Sequence, residues 1–387
     1  EIASCLVGSE MCIRDRTTLT AIPGEAAAAK YASISQEILR AIEKGNEYLK
    51  SKQNPEGYWA QPSYPALTAL AVTAYMRDPA NQGKPVPEYI RKGYDFILKS
   101  QKEDGSIFNR GMSSYNTAVC MMALLAANKE EYAPAILKGR AYLIKQQNHF
   151  APDNPYNGGI GYGDKQAPPI ADLSNTSLAL EAIYYSQKLA KDGKYGEQPD
   201  LDWNAATEFI NRCQQNPAVN KEPWVSNDKS QLGGFVYRPG VSSARDKKSA
   251  AFDKAEPPKA YGSMTYAGMQ SLIYANVDKN DPRVKLALKW LENSYSLDEN
   301  PGMGVQGLYY YYQAMSKALS AMGIDTLTLE NGRKVDWRDE LANKLISIQK
   351  SDGSWVNTNN RWWEADPVLV TSYCVLALEQ LYHSIPR

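Results

Sequence analysis

Two kinds of apolar segment alternate along this chain. In the first kind, apolar residues recur on one helical face. Ile34, Ile38, Leu39, Ile42 and Leu49 share such a stripe, and Ser33 with Gln36 fits a capping box ahead of it. In the second kind nearly every position is apolar or small: ALAVTAYM, AVCMMALLA, SLALEAIYY, YAGMQSLIYA, YYQAMSKALSAM and SYCVLALEQLY. A helix with one apolar stripe belongs on the outside of a fold. A helix apolar nearly all round belongs inside it.

The two kinds are joined by a repeated turn. The first copy ends KGNEYLKSKQNPEGYW, with Tyr48, Leu49, Gln53, Gly57 and Trp59. The second places Phe96, Ile97, Gln101, Gly105 and Phe108 in the same order. The third has Tyr142, Leu143 and Gln147, then GGIGY, and the fourth has Phe209, Ile210 and Gln214, then GGFVY. The fifth is degenerate, with Trp290, Leu291 and Tyr295 where Gln is due, and the sixth restores Leu345, Gln349, Gly353 and Trp355. A threonine recurs near the start of each inner segment: Thr68, Thr117, Thr176, Thr265 and Thr371, with Tyr311 the nearest match in the fifth copy.

Six copies of an outer–inner helix pair predict an all-α fold, a single α6/α6 toroid of six helix-pair repeats spanning 33–387. An open solenoid would end in polar caps. The last helix here is among the most apolar, so the ring is expected to close. Residues 1–32 share neither the period nor the composition. SCLVGSEMCIRDR resembles translated sequencing adapter found at the ends of unrelated proteins, so this stretch is read as non-native or as a leader. Export and cytoplasmic residence both stay open.

Composition narrows the chemistry. Lys+Arg is 43 and Asp+Glu is 43, giving no net charge, which argues against nucleic acid as a partner. Only His149 and His383 are present, and the five cysteines form no C-x-x-C, so no metal site and no cofactor are expected. Cys120, Cys213 and Cys374 read as small buried hydrophobes within helices. No apolar run reaches the length of a membrane span, while contact with a membrane surface is left open. The 26 tyrosines against 6 phenylalanines call for large rings with a polar tip, half-buried or lining a cavity. The insertions 148–171 and 215–260 read as lids or binding loops, the second carrying Arg238, Arg245, Asp246, Lys247, Lys248 and Asp253.

The repeat, with its Lys-Gly, aromatic, Gln and Gly-x-Trp positions, resembles that of squalene and oxidosqualene cyclases and of protein prenyltransferase β subunits. GGIGYG, DLSNTSLALEAI and GGFVY resemble still more closely a bacterial branch of prenyltransferase/squalene-oxidase-repeat proteins with no assigned activity. The resemblance implies a terpenoid-cyclase toroid with an isoprenoid or other apolar small molecule in a central aromatic-lined cavity. DLSNT, Asp172–Thr176, stands where the cyclases carry their acid motif, and there Ser174 occupies the position of the protonating aspartate. Asp172 and Asp366 are therefore the candidate acids, with helix capping the other reading of Asp172 and Asn175. The prenyltransferase zinc histidine corresponds to Val370. Candidate ligand-binding residues are Asn175, Tyr261, Tyr266, Tyr310, Tyr311, Gln313, Trp362, Trp363 and Tyr373. Two further readings stay beside a cyclase or isomerase: a non-catalytic lipid-binding or interaction module, and an α/α-barrel carbohydrate lyase.

Overall fold

The computed structural model describes residues 25–163, 170–244 and 257–385. Among the described residues twelve α-helices run α1 (Glu25–Ser51), α2 (Pro65–Arg77), α3 (Glu88–Lys99), α4 (Ser113–Ala126), α5 (Ala133–Lys145), α6 (Leu173–Ala190), α7 (Trp203–Cys213), α8 (Gly262–Tyr274), α9 (Pro282–Asn293), α10 (Leu308–Met322), α11 (Trp337–Ser347) and α12 (Pro367–Ser384). Sheet among the described residues is confined to one antiparallel pair, Leu327–Thr328 with Lys334–Val335. The odd-numbered helices form the outer layer and the even-numbered ones the inner. In α3 the buried residues are Ile90, Gly93, Tyr94 and Ile97, one face of a helix. In α8 every residue is buried.

The inner helices pack in sequence order, α2 on α4 through to α10 on α12, and α12 packs back on α2. The ring is closed. Its seam is completed outside by α1, which lies against α12 and α11. Helix α1 begins at Glu25, ahead of the boundary drawn at 33, and the Tyr31 hydroxyl donates to Asp336, the N-cap of α11. Cys5 and Cys12, with the rest of 1–24, lie outside the described residues.

The repeated glutamine fastens one repeat to the next. Gln53 Nε2 donates to the Gly57 carbonyl within its own turn at 3.0 Å and to the Tyr89 carbonyl on α3 at 2.7 Å. Gln101, Gln147 and Gln214 do the same toward Ala135, Asp202 and Arg283. Gln349 reaches Ala41 at 3.0 Å, so the sixth copy is tied to the first. The threonine accepts from the backbone of the turn: Thr68 Oγ1 takes the Trp59 N–H at 3.0 Å, and Thr117 takes that of Ile107 at 2.8 Å. The second copy's register position is thus Ile107, fully buried, and not the half-buried Phe108.

The Lys-Gly glycine sets the helix contact. A Cβ on Gly93 would fall 2.6 Å from Val72 Cγ1 of α2 and 3.0 Å from the Trp59 ring. Gly45 does the same against Val375 and the Trp355 ring, and Gly139 against Met121 and Thr117, each on the inner helix of the repeat before it. Helices α1, α3 and α9 lean mainly on the inner helix of the preceding repeat, α7 and α11 on that of their own, and α5 on both. Gly57 has φ +96°, and a Cβ there would meet the Lys92 carbonyl oxygen at 2.5 Å, so both its backbone and its surroundings demand glycine.

Candidate functional site

The N-termini of the inner helices meet the Gly-rich turns at one rim, where their unpaired N–H groups would favour an anion. The chain fills these positions itself. Asp172 caps α6, its Oδ1 accepting from Asn175 N at 2.9 Å. Asp366 caps α12 through Val368 N at 2.8 Å. Asn116 Oδ1 accepts from Ala66 N at the start of α2, and Asn300 Oδ1 from Ser263 N in α8. Helix α10 has Gly307 at its N-cap and takes its acceptor from elsewhere, the buried carboxylate of Glu364.

Asp172 engages both of its carboxylate oxygens. Its Oδ2 accepts from Asn175 Nδ2 at 2.8 Å, and the Tyr237 hydroxyl also reaches it. Burial raises its pKa to about 6, opposed by these bonds and by the Arg238 charge. Such a group is a weak acid with both oxygens already engaged. Asn175 Oδ1 is buried and has no hydrogen-bond partner among the described residues.

Below the rim, four inner helices meet across the axis. The Ser174 hydroxyl of α6 lies beside Tyr310 of α10. The Tyr310 and Tyr373 rings lie 6.0 Å apart, and the Tyr373 hydroxyl of α12 lies beside that of Tyr115 of α4. Burial raises the pKa of all three phenols, so they stay neutral hydrogen-bonding rings. Ser174, Tyr115 and Tyr310 are only half-buried although they lie inside the ring, which marks a lumen. Half-buried Leu178 on α6 and Gln313 on α10 continue its wall by helical spacing.

Two helical turns further in, about 10 Å along the axis, Lys317 of α10 pairs with Glu181 of α6. Helix α8 stands between these two helices in the ring, so the pair bridges the lumen. The side chains are 20% and 7% exposed. The pair forms a charged floor beneath the tyrosines.

Comparison with solved structures places the ring. The type II terpene cyclase MstE from Scytonema, in its apo form, superposes with a TM-score of 0.52 at 10% identity, covering 90% of this chain and 99% of that one. A variant of that enzyme with the substrate geranylgeranyl dihydroxybenzoate gives 0.52 at 10% identity, covering 91% and 99%. The fold is that of type II terpene cyclases. No family model matches the chain. At this identity the likeness concerns the backbone alone.

Within the terpene-cyclase-like ring the expected site residues separate into groups. Tyr310, Tyr373 and Gln313 face the lumen. Asp172, Asn175 and Tyr261 cluster at the rim, with Ser243 beside Tyr261. Tyr266 and Tyr311 do not reach the lumen. Their rings pack 5.6 Å apart, and the Tyr311 hydroxyl donates to the Ser296 carbonyl beyond α9. On α10, Tyr311 is turned about 100° from Tyr310, which sends it into the wall between the rings. Trp362 and Trp363 sit on the outer rim, 45% and 41% exposed, near Asp366. Arg245, Asp246, Lys247, Lys248 and Asp253 lie outside the described residues.

Tyr115, Glu181, Lys317 and Glu364 were not singled out from sequence. A signal existed for two of them. Glu181 and Lys317 are charges within otherwise apolar inner helices, two turns after Ser174 and Tyr310. Among the described residues no three His, Cys, Asp or Glu side chains gather as metal ligands. Cys374 is buried in mid-α12, while His383 lies near the end of that helix, 3.3 Å from the Arg77 carbonyl. No helix among the described residues is long and apolar enough to cross a membrane.

Proposed function

We propose that this protein binds a prenyl chain, or a similar apolar molecule of modest length, in the lumen of its ring, and that Asp172 does not protonate it. The observation that carries this reading is the set Tyr115, Tyr310 and Tyr373, three neutral rings from three inner helices facing one space. Aromatic faces hold unsaturated chains by dispersion and would also stabilise a cation. The substrate of the MstE variant carries a geranylgeranyl chain, which fits the same class of ligand.

Alkene protonation needs a strong, preorganised acid. Ser174 cannot supply one, because an alcohol is far too weak an acid. Asp172 accepts from Asn175 and Tyr237 and works as a helix cap. The lyase reading calls for clustered carboxylates in an open groove, whereas the carboxylate described across this lumen, Glu181, is paired with Lys317. A direct test is equilibrium binding of geranylgeraniol to wild-type protein and to Tyr310→Ala with Tyr373→Ala. Saturable one-to-one binding that weakens about tenfold or more in the double variant supports the reading. Equal binding by both proteins would contradict it.

A further inference from the structure

At the seam of the ring, between α2 and α12, lies a cavity of about 500 Å³. Its base is Leu67 and Leu369, from the first turns of the two inner helices, both nearly buried. Its upper wall is Gln61, Asn360, Asp366 and Trp363. The cavity therefore sets polar side chains beside two apolar ones of the inner ring.

The polar groups at the mouth are free to act on a ligand. Asp366 Oδ1 is taken by Val368 N. Among the described residues, Asp366 Oδ2 and the side-chain amides of Gln61 and Asn360 have no protein hydrogen-bond partner. No cation lines the cavity. The neighbouring Arg361 is turned elsewhere, its guanidinium 4.3 Å over the Trp362 ring and bonded to Gln306. The nearby helix N-termini are already satisfied by Asp366, Glu364 and Asn116. A phosphate entering here would meet a carboxylate and find no counter-charge. A purely apolar group would strip water from two amides and a carboxylate without replacing its bonds.

Hydroxyl groups match this wall. They donate to the carboxylate and the amide oxygens and accept from the amide N–H groups. Trp363 adds an indole face at the entrance, backed by Tyr64 at 4.7 Å between ring centroids. Trp362 and Trp363 hold φ of +56° and +64°, a left-handed conformation that bulky residues adopt rarely and mostly at functional sites. The Asp366 N–H to Trp363 carbonyl bond at 2.8 Å helps fix that bend.

We propose that this cavity is a subsite for the neutral, multiply hydroxylated head of an amphiphile, a sugar or polyol, whose apolar tail enters the ring between α2 and α12. The path of the tail rests on the lumen reading above; the head-group chemistry rests on the cavity alone.

The test is calorimetric titration, below micelle concentrations, with octyl β-glucoside, octyl phosphate, 1-octanol and free glucose. The glucoside is expected to bind about tenfold or more tightly than octanol or octyl phosphate. Asn360→Ala and Asp366→Asn are expected to erase that preference with circular dichroism unchanged. Both substitutions are mild, because Asn360 is exposed and asparagine preserves a helix cap. Octyl phosphate binding as tightly as the glucoside, or a preference untouched in both variants, overturns the subsite. Octanol binding with no glucoside preference overturns the subsite and leaves the lumen reading standing. Glucose binding as tightly as the glucoside, with loss in Asn360→Ala, keeps the subsite and overturns the path of the tail. No binding by any of the four probes overturns both.

Discussion

Glu364 caps a helix that it does not belong to. Its Oε1 accepts from the Tyr310 N–H at 2.8 Å, and its Oε2 from the Tyr309 N–H at 3.4 Å and from Asn357 Nδ2 at 2.7 Å. Helix α10 starts at a glycine with no side chain to offer, so the loop before α12 supplies its anion and fixes the turn that aims Tyr310 into the lumen. Glu364→Ala is expected to cost about 2–3 kcal/mol, the value of charge-assisted bonds to buried donors, and Glu364→Gln less. Urea unfolding of the three proteins checks this; an unchanged midpoint in Glu364→Ala would show that α10 needs no such cap.

Asp172 gives a pH dependence. Its folded pKa is about 6, above the ordinary carboxyl range. Below about pH 4 both folded and unfolded states hold the proton. Between about 4 and 6 the unfolded chain gives it up first, so stability falls as pH rises. The contribution is gone above the folded pKa, a loss of about 3 kcal/mol. Asp172→Asn keeps the cap and removes this dependence. Thermal midpoints at pH 4 and pH 8 should therefore converge in the variant relative to wild type. A parallel pH profile in both proteins would mean that Asp172 is an ordinary carboxylate.

The Glu181–Lys317 pair separates two effects. Removing one partner leaves the other charge stranded, at a cost of about 3–5 kcal/mol, whereas replacing both with apolar residues of similar size is close to neutral. Glu181→Leu or Lys317→Met alone should thus be strongly destabilised, and the double variant should recover. With the floor gone, the double variant should also shift its preference toward longer prenyl alcohols. Chain-length selectivity identical to wild type would show that the pair does not bound the site.

Gly57→Ala tests the turn. The φ of +96° and the 2.5 Å approach to the Lys92 carbonyl leave no room for a methyl group, so a loss above about 1 kcal/mol is expected. Denaturant midpoints check it, with the open, positive-φ Gly323 as the control position: Gly323→Ala bears only the backbone penalty.

The ring was legible in the sequence because each repeat carries the same bonds. Gln, Gly, aromatic and Thr positions recur since every turn must fasten to the next outer helix in the same way. The fifth copy hid its solution. Tyr295 takes the place of Gln and donates through its hydroxyl to Glu340 Oε2 on α11 at 2.9 Å, so the link survives in a different residue. The inner helix that each outer one leans on was not legible, because outer–inner order in the chain does not decide it: α3 and α9 lean on the repeat before, α7 and α11 on their own. Nor was the direction of each tyrosine in YYYY. Adjacent residues on α10 point to different layers, and Tyr310 enters the lumen while Tyr311 and Tyr312 bond to the backbone at Ser296 and Leu297. The Glu364 cap joins distant loops and has no local signature.

The central claim is that the lumen holds a prenyl chain and that no side chain at the Asp172 position protonates it. The most direct measurement is incubation of the purified protein with geranylgeraniol, removal of unbound lipid, and gas chromatography with mass spectrometry of what remains. The account predicts one equivalent of unchanged geranylgeraniol retained by wild type and by Asp172→Asn alike. A cyclised product that disappears in Asp172→Asn, or no retained lipid in either protein, would contradict it.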